Sequence, residues 1–159
     1  MNPGQSGDPG SIDDATGKDH ERLGLLLDHL GASLKTTGAA ARLAFETLDR
    51  ELRIHMKWEE EALFSAVRGR ATAAQRHSLE SLEIDHERIR DTLRGLDSTL
   101  AEGDLQTAKP LLDWLQTLLK GHNYDEEHGV YVEADRLLDL AERRRLIEAL
   151  RKAPPEGTP

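Results

Sequence analysis

The chain has no cysteine at all. Disulfides, thiolate metal ligands and thiol redox chemistry are therefore excluded, and any metal site must be built from histidine, carboxylate and water. Aromatic residues make up only 4% of the 159 residues, too few for the β-rich composition of a sandwich or barrel. The apolar content is mostly leucine and alanine, which favours helices. There is no excess of basic residues, since the formal net charge is -9. Such a chain lacks the footprint of a nucleic-acid binder and is repelled by an anionic membrane surface. No apolar run is long enough to span a bilayer. The N-terminal stretch MNPGQSGDPG has neither the basic nor the apolar region of a secretory signal, so the expected compartment is the cytoplasm.

The first 16 residues are rich in glycine, proline, serine and aspartate, and the last seven hold three prolines and a glycine. Residues 1–16 and 152–159 read as flexible tails around one domain, residues 17–151. Inside it, Leu23, Leu26, Leu27, Leu30 and Leu34 recur at helical spacing and predict a first helix from about Lys18 to Lys35. A second runs from about Ala39 to Val67, with Leu48, Leu52, His55, Glu59 and Leu63 along one stripe. A third runs from about Ala73 to Leu100, with Leu79, Leu82, His86, Ile89, Leu93 and Leu96 inward. A fourth runs from about Asp104 to His128, and a short extra helix from about Ala141 to Arg151 packs across the others. Long helices joined by short turns predict an all-α fold, an up-down antiparallel four-helix bundle.

An internal repeat organises that bundle. The tetrapeptide DHER occurs at Asp19–Arg22 and again at Asp85–Arg88. His55–Phe64 reads HMKWEEEALF and His122–Tyr131 reads HNYDEEHGVY. Both follow the pattern H-x-x-x-E-E-x-x, then an aliphatic residue, then an aromatic. His20 precedes His55 by 35 residues and His86 precedes His122 by 36. The first two helices thus read as a copy of the next two, related by a pseudo-twofold axis.

Positions i and i+4 of a helix lie one turn apart on nearly the same face. His55 with Glu59, and His122 with Glu126, therefore share the faces that carry the inward leucines. His20 and His86 begin the inward stripes of their own helices. Four histidines and two glutamates then meet at one level of the core. Burying them without a cation costs several kcal/mol, whereas imidazole and carboxylate together suit iron, manganese or zinc. The expected metal set is His20, His55, Glu59, His86, His122 and Glu126, with two metals. Each metal takes two histidines and one oxygen from each bridging glutamate, which leaves an open position for a small ligand.

On these residues, which span positions 20 to 131, the chain resembles the hemerythrin-like, or HHE cation-binding, family. The resemblance implies two iron ions (Fe2+/Fe3+), oxo- or hydroxo-bridged, in a four-helix bundle. It implies oxygen binding, or binding of nitric oxide or peroxide, in sensing, scavenging or iron handling. An enzyme turning over hydrogen peroxide or nitric oxide is the alternative, and a metal-free helical interaction module a second one. Two departures separate the chain from the oxygen carriers. Arg90 stands where they have the second histidine of an H-x-x-x-H motif, and Glu126 replaces an aspartate one residue further on. Both departures give each metal two histidines.

The remaining polar residues are read more plainly. His29, His77 and His128 are expected at the surface. Glu60 and Glu127, matched in the repeat, are placed to accept the outer N–H of a ligand histidine. Trp58 packs, and Tyr124 either packs or reaches an open position. Gly24 and Arg90 occupy equivalent places, one turn after His20 and His86. Gly24 is expected to leave a gap beside one metal. Arg90 is expected to pair with a core carboxylate, contact a bound anion or extend to solvent. Tyr124 and Arg90 are the proton donors that an enzyme would draw on.

Overall fold

A computed structural model describes residues 8–152. Every regular element among them is helical. The elements are α1 (Ile12–Ser33), α2 (Gly38–Trp58), a π-helical turn (Glu59–Phe64), α3 (Ser65–Arg68), α4 (Ala73–Ala101), α5 (Leu105–Glu127), α6 (Val130–Leu137) and α7 (Leu140–Lys152). The expected tails at 1–7 and 153–159 lie outside the described residues. No helix among the described residues is long and apolar enough to cross a membrane.

Side-chain caps set most of the boundaries. Thr37 accepts from the Ala40 N–H. Thr72 and Gln75 form a reciprocal capping box. Asp104 accepts from the Thr107 N–H, just after Gly103 turns the chain at a φ of 74°, where a glycine is favoured. The first helix departs from its expected start: it begins at Ile12 rather than Lys18. Its cap comes from Ser11 and from far along the chain. The Asp135 carboxylate accepts from the Ile12 N–H at 2.7 Å and from the Ser11 hydroxyl at 2.8 Å. An anion at a helix N-terminus meets the positive end of the macrodipole, so residues 12–16 are helix and not tail.

Packing brings α1 against α2 and α4 against α5, and the two pairs meet through α2 with α4 and α1 with α5. The apolar core falls into two parts. One holds Leu23, Leu27, Leu48, Leu52, Ile89, Leu93, Leu112 and Leu115. The other holds Ile12, Leu63, Phe64, Val67, Leu82, Val130, Tyr131 and Ile147. Between them lies a polar layer of buried histidine and glutamate.

The C-terminal region also differs from expectation. Two short helices, α6 and α7, follow α5 where the sequence predicts one. Residue 129 allows the break, because a Cβ there would lie 2.6 Å from the Asp125 carbonyl oxygen. Trp58 is buried and donates its indole N–H to the Leu146 carbonyl, tying α7 to α2.

Candidate metal centre

The polar layer gathers all six expected side chains. His20, His55, His86 and His122 are each at most 7% exposed, and Glu59 and Glu126 are fully buried. They form two groups of four. His20 and His55 stand with Glu59 and Glu126, and His86 and His122 stand with the same two glutamates. Within each group the ligand atoms all lie within 4.8 Å of one another.

Carboxylates outside the centre orient three of the rings. His20 Nδ1 donates to Glu127 at 2.8 Å, His86 Nδ1 to Glu60 at 2.7 Å, and His55 Nδ1 to Asp19 at 2.7 Å. An ionised carboxylate only accepts, so each of these Nδ1 atoms carries a proton. In the neutral imidazole the inward Nε2 is then a bare lone pair. The lone pairs of His20 and His55 face each other, with Nε2 atoms 3.3 Å apart. His86 Nε2 lies 3.0 Å from His122 Nε2, and no carboxylate among the described residues is hydrogen-bonded to His122 Nδ1 to fix its tautomer. Glu59 Oε2 and Glu126 Oε1 are buried without a hydrogen bond, although they lie 3.2 Å from His86 Nε2 and 2.8 Å from His122 Nε2. Such an arrangement requires positive charge at its centre. Two imidazole nitrogens and two carboxylate oxygens per group fit a divalent or trivalent cation of the iron, manganese or zinc kind.

Without a cation, protons take that role. Burial works against charging His55, but Glu59, Asp19 and Glu126 outweigh it and raise its pKa to about 10. Burial likewise opposes charging His86, and Glu126, Glu59 and Glu60 raise its pKa to about 11. His20 is raised as well, with Glu126 and Glu127 overcoming desolvation. Desolvation would raise Glu126, but His122, His20 and His86 hold it well below the usual carboxylate range.

Tyr131 is a seventh side chain at the centre, unassigned by the sequence reading. It is fully buried. Its hydroxyl donates to Glu59 Oε1 at 2.5 Å and lies 3.0 Å from both Glu126 Oε2 and His20 Nε2. Its repeat partner Phe64 stacks on His86, with ring centroids 5.8 Å apart. Each aromatic comes five residues after a core glutamate, off the α-helical stripe. In the first half the π turn over Glu59–Phe64 brings it inward, because a π turn makes i+5 the axial neighbour. In the second half the helix stops at Glu127 and restarts at Val130. The signal in the sequence was the matched aromatic at the end of both ten-residue stretches.

Tyr124 does not reach the centre. It is 60% exposed and stacks on His128 at the surface. Arg90 also points elsewhere than at an open metal position. Its guanidinium donates to both Glu60 oxygens at 2.9 Å and to Glu87 at 2.6 Å. The expected partner was a core carboxylate; Arg90 instead pairs with half-buried Glu60, the carboxylate that orients His86, and with exposed Glu87. His29, His77 and His128 are exposed, as expected.

A cavity of about 40 Å³ lies against His20, His55 and His122, with Leu23, Leu52, Met56 and Ile89 in its wall. Gly24 lines it too, and a Cβ at residue 24 would meet nothing within 4 Å. The gap expected beside His20 is present.

No curated protein and no solved structure matches the chain. Residues 11–134 match the family model of the hemerythrin HHE cation binding domain. That stretch runs from the α1 cap into α6 and holds all four histidines and both glutamates, so the chain belongs to the hemerythrin HHE cation-binding family.

Proposed function

We propose that the chain is a non-haem di-iron protein that binds dioxygen, nitric oxide or peroxide, serving sensing, scavenging or iron handling. The observation that carries this reading is that Glu59 and Glu126 belong to both four-residue groups. Two carboxylates facing both histidine pairs suit two neighbouring cations better than one. His20 and His55 would hold one iron, His86 and His122 the other, and the glutamates both. This reading takes the long helices as an up-down antiparallel bundle about a pseudo-twofold axis, which the matched placement of the two halves supports. When bound, two irons supply electrons and open positions for a small ligand.

The chain's own groups supply the rest. Asp19, Glu60 and Glu127 fix the Nδ1–H tautomers, so that Nε2 lone pairs face the centre. Leu23, Leu52, Met56 and Ile89 make the neighbouring cavity apolar. Tyr131 keeps a proton on its hydroxyl: desolvation raises its pKa well above the ordinary value, and Glu126 and Glu59 add to this.

The test is to load metal-free protein with ferrous iron under anaerobic conditions and titrate it with nitric oxide, dioxygen and hydrogen peroxide separately. A saturable change in absorption with at least one ligand, missing from zinc-loaded protein, is expected. No change with any of the three would reject the reading and favour a metal-stabilised interaction module.

Tyr131 favours one second reading, an enzyme that turns over peroxide or nitric oxide. Its hydroxyl is a buried proton donor beside His20, the role that neither Tyr124 nor Arg90 can fill. Consumption of many equivalents of peroxide per chain, lost in Tyr131→Phe at unchanged iron content, would support it.

A further inference from the structure

We propose that Gly24 is the entrance and size filter through which a neutral diatomic gas reaches the His20–His55 side of the centre. The proposal rests on the ligand-binding reading above and adds to it the ligand class and the route.

Two spaces meet at this residue. The cavity against His20, His55 and His122 is small, about 40 Å³. A water-sized sphere needs about 10–15 Å³, so the cavity admits a diatomic molecule and excludes larger organic ligands. Outside it lies an open groove of about 700 Å³ between α1 and α5, with Glu21, Asp28 and Lys120 at its rim. Gly24, Leu27, Leu119 and Asn123 line both spaces. These four residues are therefore the wall between solvent and centre, and Gly24 is the one with no side chain.

A glycine inside a helix is destabilising by about 1 kcal/mol relative to alanine. Here the position would tolerate alanine, since an added Cβ meets nothing within 4 Å. Packing therefore does not require glycine, whereas an open passage does. The equivalent position in the other half is filled by Arg90, held by Glu60 and Glu87. The counterpart of residue 24 is thus occupied, and the cavity that Gly24 lines touches His122 as well as His20 and His55. Away from the three histidines the cavity wall is apolar apart from Asn123. A neutral gas enters it without the desolvation penalty that an anion would pay.

Gly24→Ala and Gly24→Leu test the proposal. Both replacements raise helix propensity, so both chains should fold and retain wild-type iron content. Crystals of the iron-loaded proteins under xenon pressure report on the cavity without any reaction at iron. Xenon is expected in the wild-type cavity, weaker in Gly24→Ala and lost in Gly24→Leu. The association rates of nitric oxide and of dioxygen, measured separately on reduced protein, should fall by roughly tenfold or more in Gly24→Leu. Slowing of either gas, together with loss of xenon, supports the gate. Xenon occupancy in Gly24→Leu equal to wild type overturns it. So do unchanged rates for both gases, which leave the binding function standing. If neither gas binds wild type, the diatomic ligand class is overturned while peroxide binding still tests the function, and the xenon arm still decides the passage.

Discussion

The two halves of the molecule carry the same three-residue plan, two histidines and a glutamate, but surround it differently. In the first half, Asp19 accepts from His55 Nδ1 at 2.7 Å. In the second, its equivalent Asp85 stands 3.9 Å from His122 Nδ1, which is left without a hydrogen bond. The cause lies one residue type further out. Arg22 donates to both Asp19 and Glu51, so Asp19 is held from two sides. Arg88 donates to Asp85, but the residue equivalent to Glu51 is Leu118, and Arg88 has no second anchor. The outer carboxylates differ in the opposite sense: Glu60 is neutralised by Arg90, while Glu127 pairs with His20. Tyr131 and Gly24 stand beside His20, Phe64 and Arg90 beside His86. A repeated set of histidines and glutamates thus has one pair with both rings held by carboxylates and one pair in which His122 is not.

The largest expected effect separates shared residues from those that serve one side. Glu126→Ala should abolish binding of both metals, because Glu126 belongs to both groups. His86→Ala should leave the His20–His55 group able to hold one. Iron content per chain after desalting checks this, and equal losses in the two variants would break the picture of shared glutamates.

The orienting carboxylates sharpen the comparison. Asp19→Ala should weaken metal binding by roughly 10–100-fold, the usual cost of losing the partner of a ligand histidine. Asp85→Ala should change it far less, since no hydrogen bond to a centre histidine is lost. Competition with a chelator of known affinity measures both, and similar weakening would mean that Asp85 orients His122 after all.

Tyr131→Phe makes the first half resemble the second. It removes one donor from two buried carboxylates, which should destabilise metal-free protein by about 1–3 kcal/mol. The loss should shrink on metal loading, because a cation then satisfies the same oxygens. Urea midpoints with and without metal give both numbers. An equal loss in both states would place the effect in packing.

The smallest effect is spread over both halves. In metal-free protein His55 and His86 have pKa values of about 10 and about 11, above the unfolded value near 6.5. Their contribution to stability is full below about pH 6.5 and is lost progressively as the pH rises through the folded values. The urea midpoint of chelator-treated protein should therefore fall between pH 6.5 and pH 10. A flat profile would show that the histidines do not hold the charge.

The six centre residues and the orienting roles of Glu60 and Glu127 were legible in the sequence because they obey helical spacing and recur in the repeat. What escaped depends on departures from that spacing or on distant contacts. Tyr131 reaches the centre only because α5 breaks at Gly129. Phe64 is brought inward by a π turn that the periodicity of Leu48, Leu52 and His55 does not announce. The start of α1 is fixed by Asp135, more than a hundred residues away. Arg90 was read from its own helix, but its direction is set by Glu60 on the π turn.

The central claim is that the two histidine pairs and two shared glutamates hold two metal ions. Native mass spectrometry of the iron-loaded chain, read beside iron analysis of the same sample, tests it most directly. A dominant species carrying two irons is expected, with the single-iron species minor at partial loading because the first metal orders the shared glutamates for the second. A chain that saturates at one tightly held ion, or at none, would contradict it.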